Sequence, residues 1–146
     1  MAIKEITPQE AHETLTNEPS AVYIDVRTQR EFEAGHAQGA VNIPIAFPDP
    51  ARGMTINDDF VRVVEKHFPK EMKIIVGCQS GPRSNAAAGL LQQSGYQDIS
   101  NLAGGFGGMR DSMGRVIAPG WANLGLPVSQ DNGEGVSYES LSAKAR

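Results

Sequence analysis

The sequence is poor in the residues that build disulfides, metal centres and nucleic-acid interfaces. Cys78 is its only cysteine, which excludes an intramolecular disulfide and a cysteine-based zinc site. The three histidines, His12, His36 and His67, are scattered without the spacing of metal ligands. The formal net charge is −4 and no run of basic residues occurs, so we expect neither a nucleic-acid partner nor binding to an anionic membrane.

Long apolar segments are missing as well. No stretch approaches the length of a membrane span, and the first residues lack the apolar core of a signal peptide. We therefore expect a cytoplasmic location in a reducing compartment. With 146 residues and 40% apolar content, the chain suits one domain, which we place at residues 1–128. Residues 129–146 are polar, and we expect a surface or mobile tail with a marginal helix over residues 136–145.

Apolar runs alternate with helix-like segments along the first hundred residues. Residues 21–26 and 73–76 are nearly continuous apolar runs, typical of strands buried on both faces. Residues 28–34, 60–68 and 82–94 have helical patterns, and residues 45–57 form a proline-containing loop. This alternation predicts an α/β domain with a mainly parallel central sheet flanked by helices. Ligands of such sheets bind beyond the carboxyl ends of the strands.

Cys78 lies at one of those ends. The apolar run before it leads into a polar turn, Gln79-Ser80-Gly81, and Pro82 suits the first position of the next helix with Gly81 as N-cap. Free backbone N–H groups and the helix dipole favour an anion there, and the thiolate is the reactive form of cysteine. A free cysteine is more often a small buried apolar residue, but nothing structural requires one in such a turn. Arg83 falls in the first helical turn, where a bound anion would offset its unfavourable position.

Several motifs in order resemble those of the rhodanese family over about residues 3–128. The signature motifs are Ile24-Asp25-Val26-Arg27, Glu31-Phe32, Gly35-His36, Gly39-Ala40, Asn42-Ile43-Pro44, the loop Cys78-Gln79-Ser80-Gly81-Pro82-Arg83-Ser84, Gly95-Tyr96, Asn101-Leu102, Gly104-Gly105 and Leu124-Gly125-Leu126-Pro127-Val128.

The resemblance implies a rhodanese-like fold and a sulfurtransferase of the thiosulfate:cyanide type without cofactor or metal. Cys78 would be the nucleophile, carrying a persulfide between a small anionic sulfur donor and a thiol or cyanide acceptor, with a protein as a further possible acceptor. Gln79, Ser80, Gly81, Arg83 and Ser84 would bind the donor.

Residues outside the loop receive supporting roles. We expect Asp25, Arg27 and His36 to be structural, and the spacing of Arg27 and Glu31 permits an ion pair between them. Residues 109–120 resemble an insertion before Trp121. We hypothesise that this insertion forms a wall of the active-site mouth, with Arg110 or Arg115 attracting anionic donors. Solvated arginines beside Asp111 are the alternative, and Trp121 is expected in the core or a cleft wall.

Other functions stay open on these residues. A sulfur-carrier or persulfide-sensing module loaded by a protein partner would use the same loop. Phosphatase or arsenate reductase activity is a distant third, because the related phosphatases place one more residue between cysteine and arginine. A non-catalytic scaffold is disfavoured by the presence of Cys78. The physiological donor is equally open, since thiosulfate, glutathione persulfide and 3-mercaptopyruvate are all anionic.

Overall fold

A five-stranded parallel sheet forms the centre of the protein. The computed structural model describes residues 3–145. The strand order is β1 (Lys4–Ile6), β8 (Asp98–Leu102), β7 (Lys73–Gly77), β2 (Val22–Asp25) and β4 (Val41–Asn42), and each neighbouring pair is parallel. The residues at the centre of β7 are fully buried, as expected for a strand covered on both faces. The predicted α/β class and mainly parallel sheet are confirmed.

Five α-helices in the described range surround this sheet. They are α1 (Pro8–Asn17), α2 (Gln29–Ala34), α3 (Phe60–His67), α4 (Pro82–Gln93) and α5 (Tyr138–Lys144). The first two begin with complete capping boxes, Thr7 with Glu10 and Thr28 with Glu31, in which each side chain bonds the other residue's backbone N–H. Helices α3, α4 and α5 contribute to an apolar cluster that also contains Ile24 and Val76, whereas α1 and α2 contribute to a second cluster around Tyr23 and Trp121.

The order of the strands defines one crevice at the carboxyl edge of the sheet. The chain passes from β2 outward to β4, and then crosses to β7 on the other side of β2. Connections that leave in opposite directions open a crevice between β2 and β7, which is where ligands bind in open α/β sheets. Cys78 follows β7 and Arg27 follows β2, so both lie at this edge.

Several segments differ from, or add to, the sequence-based expectations. The edge strand β1 was not expected. The predicted loop over residues 45–57 contains an antiparallel hairpin of β5 (Ala46–Asp49) and β6 (Gly53–Ile56). The insertion forms a second hairpin, of β9 (Met109–Arg110) and β10 (Val116–Ala118). The short strands β3 (His36–Ala37) and β11 (Val128–Ser129) pair, and a 3₁₀ helix spans Ala122–Leu124.

The expectation of a poorly buried C-terminal tail is wrong for helix α5. Tyr138 and Leu141 are buried in the cluster shared with α3. The Asn57 Nδ2 amide donates to the Tyr138 hydroxyl at 3.1 Å, and His67 Nε2 lies 2.7 Å from the Leu141 carbonyl oxygen. Buried apolar side chains and hydrogen bonds to the domain together hold this short helix in place.

Candidate active site

Cys78 occupies a tight turn between the end of β7 and the start of α4. Its side chain is nearly inaccessible, with the residue 1% exposed, and its thiol is free. The Gly81 backbone N–H donates to the Cys78 Sγ across 3.0 Å. Gly81 is the N-cap and has φ of 136°, a conformation that favours glycine, and Pro82 begins the helix as predicted. The sulfur thus faces a backbone donor at the N-terminus of a twelve-residue helix, where negative charge is stabilised.

A glycine-rich segment after β8, residues 104–108, is hydrogen-bonded to the backbone of the turn. The Phe106 N–H donates to the Cys78 carbonyl oxygen at 2.8 Å, and the Gly107 N–H donates to the Gln79 carbonyl oxygen at 2.9 Å. A Cβ on Gly105 would lie 2.5 Å from the Cys78 carbonyl oxygen. This close approach of two backbone segments explains why a residue without a side chain occurs here.

Asp25 and Arg27 form a buried ion pair beside the turn. The Arg27 Nε donates to Asp25 Oδ1 at 3.0 Å and Nη2 to Oδ2 at 2.9 Å, while Nη2 also donates to the Gly35 carbonyl oxygen at 2.7 Å. The guanidinium lies over the Phe106 ring at 4.5 Å, and its Nη1 reaches Gln79 Oε1 at 3.3 Å. The pair therefore links β2 to the active-site turn, and the expected pair between Arg27 and Glu31 does not form.

Arg83 pairs instead with Glu31, 52 residues away. Its Nη1 lies 2.7 Å from Oε1 and its Nη2 lies 3.0 Å from Oε2, a two-pronged geometry. Partial burial raises the pKa of Glu31, but hydrogen bonds from Arg83 and Thr28 together with the guanidinium charge outweigh it and lower the pKa to about 2. The hydrogen bond to Glu31 raises the pKa of Arg83. The anion that offsets Arg83 at the helix start is thus a carboxylate of this chain.

The two serines of the loop differ in their surroundings. Ser84 is fully buried, and its hydroxyl lies 2.9 Å from the Gly81 carbonyl oxygen and 2.5 Å from Asn101 Oδ1. In this position Ser84 fastens α4 to β8, which differs from the expected contact with a sulfur donor. Ser80 is half-buried.

His36 and Trp121 lie inside the fold. The His36 ring stacks on Phe32 with 3.6 Å between centroids, and its Nδ1 is 2.8 Å from the Phe32 carbonyl oxygen. Trp121 is 1% exposed, packs edge-on against Tyr23, and donates its Nε1–H to the Pro127 carbonyl oxygen at 2.7 Å. Trp121 also borders a surface cleft beside α1, and Cys78 does not line that cleft.

Arg110 and Arg115 are exposed and bonded within their own hairpin. Arg110 Nη1 donates to the Gly114 carbonyl oxygen at 3.0 Å, and Arg115 Nε donates to Asp111 Oδ2 at 3.1 Å. The Arg115–Asp111 pair agrees with the alternative of solvated arginines. The hydrogen bonds to the active-site turn described above come from Phe106 and Gly107, which precede the insertion.

Two clefts border the Glu31 side of the site. One, of about 330 Å³, is lined by Arg27, Glu31 and Phe106 among others, and therefore adjoins the Cys78 turn. The larger one, of about 580 Å³, lies between α2 and the β5–β6 hairpin and is also lined by Glu31. Neither Glu31 nor Phe106 was assigned to the site from sequence. The spacing of Thr28 and Glu31, which is that of a capping box, could have indicated that the Glu31 carboxylate lies at the start of a helix.

The described part of the chain contains neither a metal-binding cluster nor a membrane-spanning helix. Within residues 3–145, no group of three or more His, Cys, Asp or Glu side chains is arranged to hold a metal ion. No helix in that range is both long and apolar enough to cross a bilayer.

Comparison with known proteins identifies the family. The family model described as "Rhodanese-like domain" matches residues 7–111. The chain belongs to the rhodanese-like domain family. Among curated relatives, "Thiosulfate sulfurtransferase 16, chloroplastic" of Arabidopsis thaliana is 41% identical over 106 residues, covering 73% of this chain and 78% of the relative. "Thiosulfate sulfurtransferase 18" of the same plant is 42% identical over 86 residues, covering 58% of this chain and 62% of the relative.

Solved structures agree with this assignment. The crystal structure of Rv0390 from M. tuberculosis superposes with a TM-score of 0.74 at 32% identity, covering 90% of this chain and all of that one. Several other curated relatives are longer, and this chain spans 45% of the senescence-associated protein DIN1 of Raphanus sativus, to which it is 40% identical. Family membership and the names of these relatives support a sulfurtransferase at the level of the family.

Proposed function

We propose that this rhodanese-like domain is a sulfurtransferase that carries a sulfane sulfur on Cys78. The observation that supports it most is the hydrogen bond from the Gly81 N–H to the Cys78 Sγ at the start of α4. The Gly81 N–H is already in place to donate a hydrogen bond to negative charge on the sulfur before the sulfur donor binds. Covalent catalysis through a thiolate requires no separate base when the turn itself stabilises the anion.

The first step loads the cysteine. The Cys78 thiolate attacks the outer sulfur of thiosulfate, a new S–S bond forms, and the old S–S bond breaks. The electron pair of that bond leaves with sulfite, so the products are an anionic cysteine persulfide and sulfite, and no proton or oxidant is consumed. Because Cys78 is 1% exposed, the transferable sulfur has to be terminal to enter the turn.

The second step unloads it. Cyanide or a thiolate attacks the outer persulfide sulfur, and the Cys78 thiolate leaves with the electron pair of the S–S bond. Thiocyanate or a new persulfide is released, and the enzyme returns to its starting state. The outer sulfur anion of the intermediate would be stabilised at the same helix N-terminus.

Steady-state kinetics test this scheme. We expect thiocyanate production from thiosulfate and cyanide with ping-pong kinetics, and none from Cys78→Ser. Production by Cys78→Ser would contradict the role of Cys78. If wild type forms the persulfide but turns over small donors only slowly, the carrier alternative, in which a protein partner loads Cys78, would replace the enzymatic one.

A further inference from the structure

Both arginines nearest the Cys78 turn are already paired with carboxylates of this chain. Arg27 contacts both oxygens of Asp25, and the two residues are 3% and 0% exposed. Arg83 contacts both oxygens of Glu31 at 2.7 and 3.0 Å. Neither guanidinium therefore offers an unopposed positive charge to an anionic donor. Glu31 is the more consequential partner because it is only half-buried and lines the cleft next to the turn.

The position of the Glu31 carboxylate is fixed from two sides. The Thr28 N–H and hydroxyl each lie 3.1 Å from Oε1, as part of the capping box that begins α2. Arg83 holds the same carboxylate from the other helix. A side chain held by both contacts cannot rotate away from the site without losing the cap as well as the ion pair. The approach to Cys78 from this side therefore passes a fixed carboxylate that offsets the positive charge of Arg83.

We infer that Glu31 determines donor specificity by opposing compact dianions, such as thiosulfate, at the approach to Cys78. This inference rests on the proposed function. In thiosulfate both negative charges lie on or within two bonds of the transferred sulfur, so the sulfonate and the Glu31 carboxylate compete for Arg83. An organic persulfide such as glutathione persulfide carries its carboxylates far from the transferred sulfur, and the opposition is correspondingly weaker.

Glu31→Gln isolates the charge, with Glu33→Gln as the matched control. Glutamine also serves at the third position of a capping box, so the helix start is preserved. Glu33 lies on the same helix, is exposed, and its substitution changes the net charge equally. We expect Glu31→Gln to raise kcat/KM for thiosulfate about fivefold, equivalent to about 1 kcal/mol, and that for glutathione persulfide less than twofold. A fall in kcat/KM for thiosulfate in Glu31→Gln, or equal changes in kcat/KM in Glu31→Gln and Glu33→Gln, would overturn the inference.

Alkylation of Cys78 gives a readout that does not depend on sulfur transfer. Iodoacetate is anionic and iodoacetamide is neutral, but both must reach the same buried sulfur. The ratio of their rates therefore reports the electrostatic potential at the turn. We expect Glu31→Gln to raise the ratio of the iodoacetate rate to the iodoacetamide rate at least threefold, and Glu33→Gln to leave it within about 1.5-fold of wild type. An unchanged ratio in Glu31→Gln would overturn the inference even if turnover is observed. If wild type shows no sulfur transfer, the proposed function fails while this ratio still decides whether Glu31 opposes anions.

Discussion

Gly105→Ala tests whether the glycine-rich segment supports the active-site turn. Gly105 has φ of +59°, and an added Cβ would lie 2.5 Å from the Cys78 carbonyl oxygen and 2.8 Å from the Gln79 carbonyl carbon. Both atoms belong to backbone and cannot rotate away. Alanine in the left-handed region costs about 1–2 kcal/mol, and overpacking of a filled site costs about 1–3 kcal/mol more. We therefore expect a loss of about 2–5 kcal/mol in the free energy of unfolding.

Gly125→Ala is the control for this substitution. Gly125 also has a positive φ, +73°, but a Cβ there meets no heavy atom within 4 Å. Gly125→Ala should therefore lower the free energy of unfolding only by the conformational cost, about 1–2 kcal/mol. Urea unfolding measures both losses, and persulfide formation on Cys78 measures the effect on the turn. We expect slow loading in Gly105→Ala and normal loading in Gly125→Ala. Equal destabilisation of the two variants, with equal loading, would refute the close approach of the two backbone segments.

Three further substitutions address separate parts of the structure. Arg27→Ala should lower the free energy of unfolding by about 3–5 kcal/mol, because it leaves the buried Asp25 carboxylate unpaired; urea unfolding would show this, and a loss below 1 kcal/mol would contradict it. Glu31→Gln should cost about 1 kcal/mol at pH 7, because the ion pair is partly exposed. The pKa of Glu31 is lowered from 4.5 to about 2. The loss in the free energy of unfolding caused by Glu31→Gln should therefore have its full size above pH 4.5 and shrink as the pH falls towards 2. A loss that grows in acid would contradict the ion pair between Glu31 and Arg83. Leu141→Ala should cost about 2 kcal/mol, because Leu141 is 4% exposed; a cost within about 0.5 kcal/mol of zero would indicate a loose helix α5.

The active-site turn was predictable from sequence because its determinants are local. An apolar strand, Gly81 and Pro82 suffice to place Cys78 at the start of a helix. The partner of Arg83 was not predictable, since Glu31 lies 52 residues away and only the fold brings the two together. The spacing of Arg27 and Glu31 suggested a local pair, but Arg27 precedes the helix and turns back to Asp25.

The structures of strand β1 and helix α5, near the two ends of the chain, were harder to predict from sequence for a similar reason. Strand β1 has three residues, of which two are charged, and it exists because it pairs with β8 at the edge of the sheet. The marginal helix predicted over residues 136–145 is present as α5 (Tyr138–Lys144), but its packing was not predicted, because it comes from the contacts of Tyr138 and Leu141 with the rest of the domain. Tertiary contacts of this kind leave little signal in the sequence of the segment itself.

The intact mass of the protein after incubation with thiosulfate tests the central claim most directly. Wild type should gain one sulfur atom, and cyanide should remove it with release of an equal amount of thiocyanate. Cys78→Ser should gain nothing under the same conditions. A wild-type protein that gains no sulfur from thiosulfate, or a Cys78→Ser variant that gains as much as wild type, would contradict sulfur transfer through Cys78 from this donor.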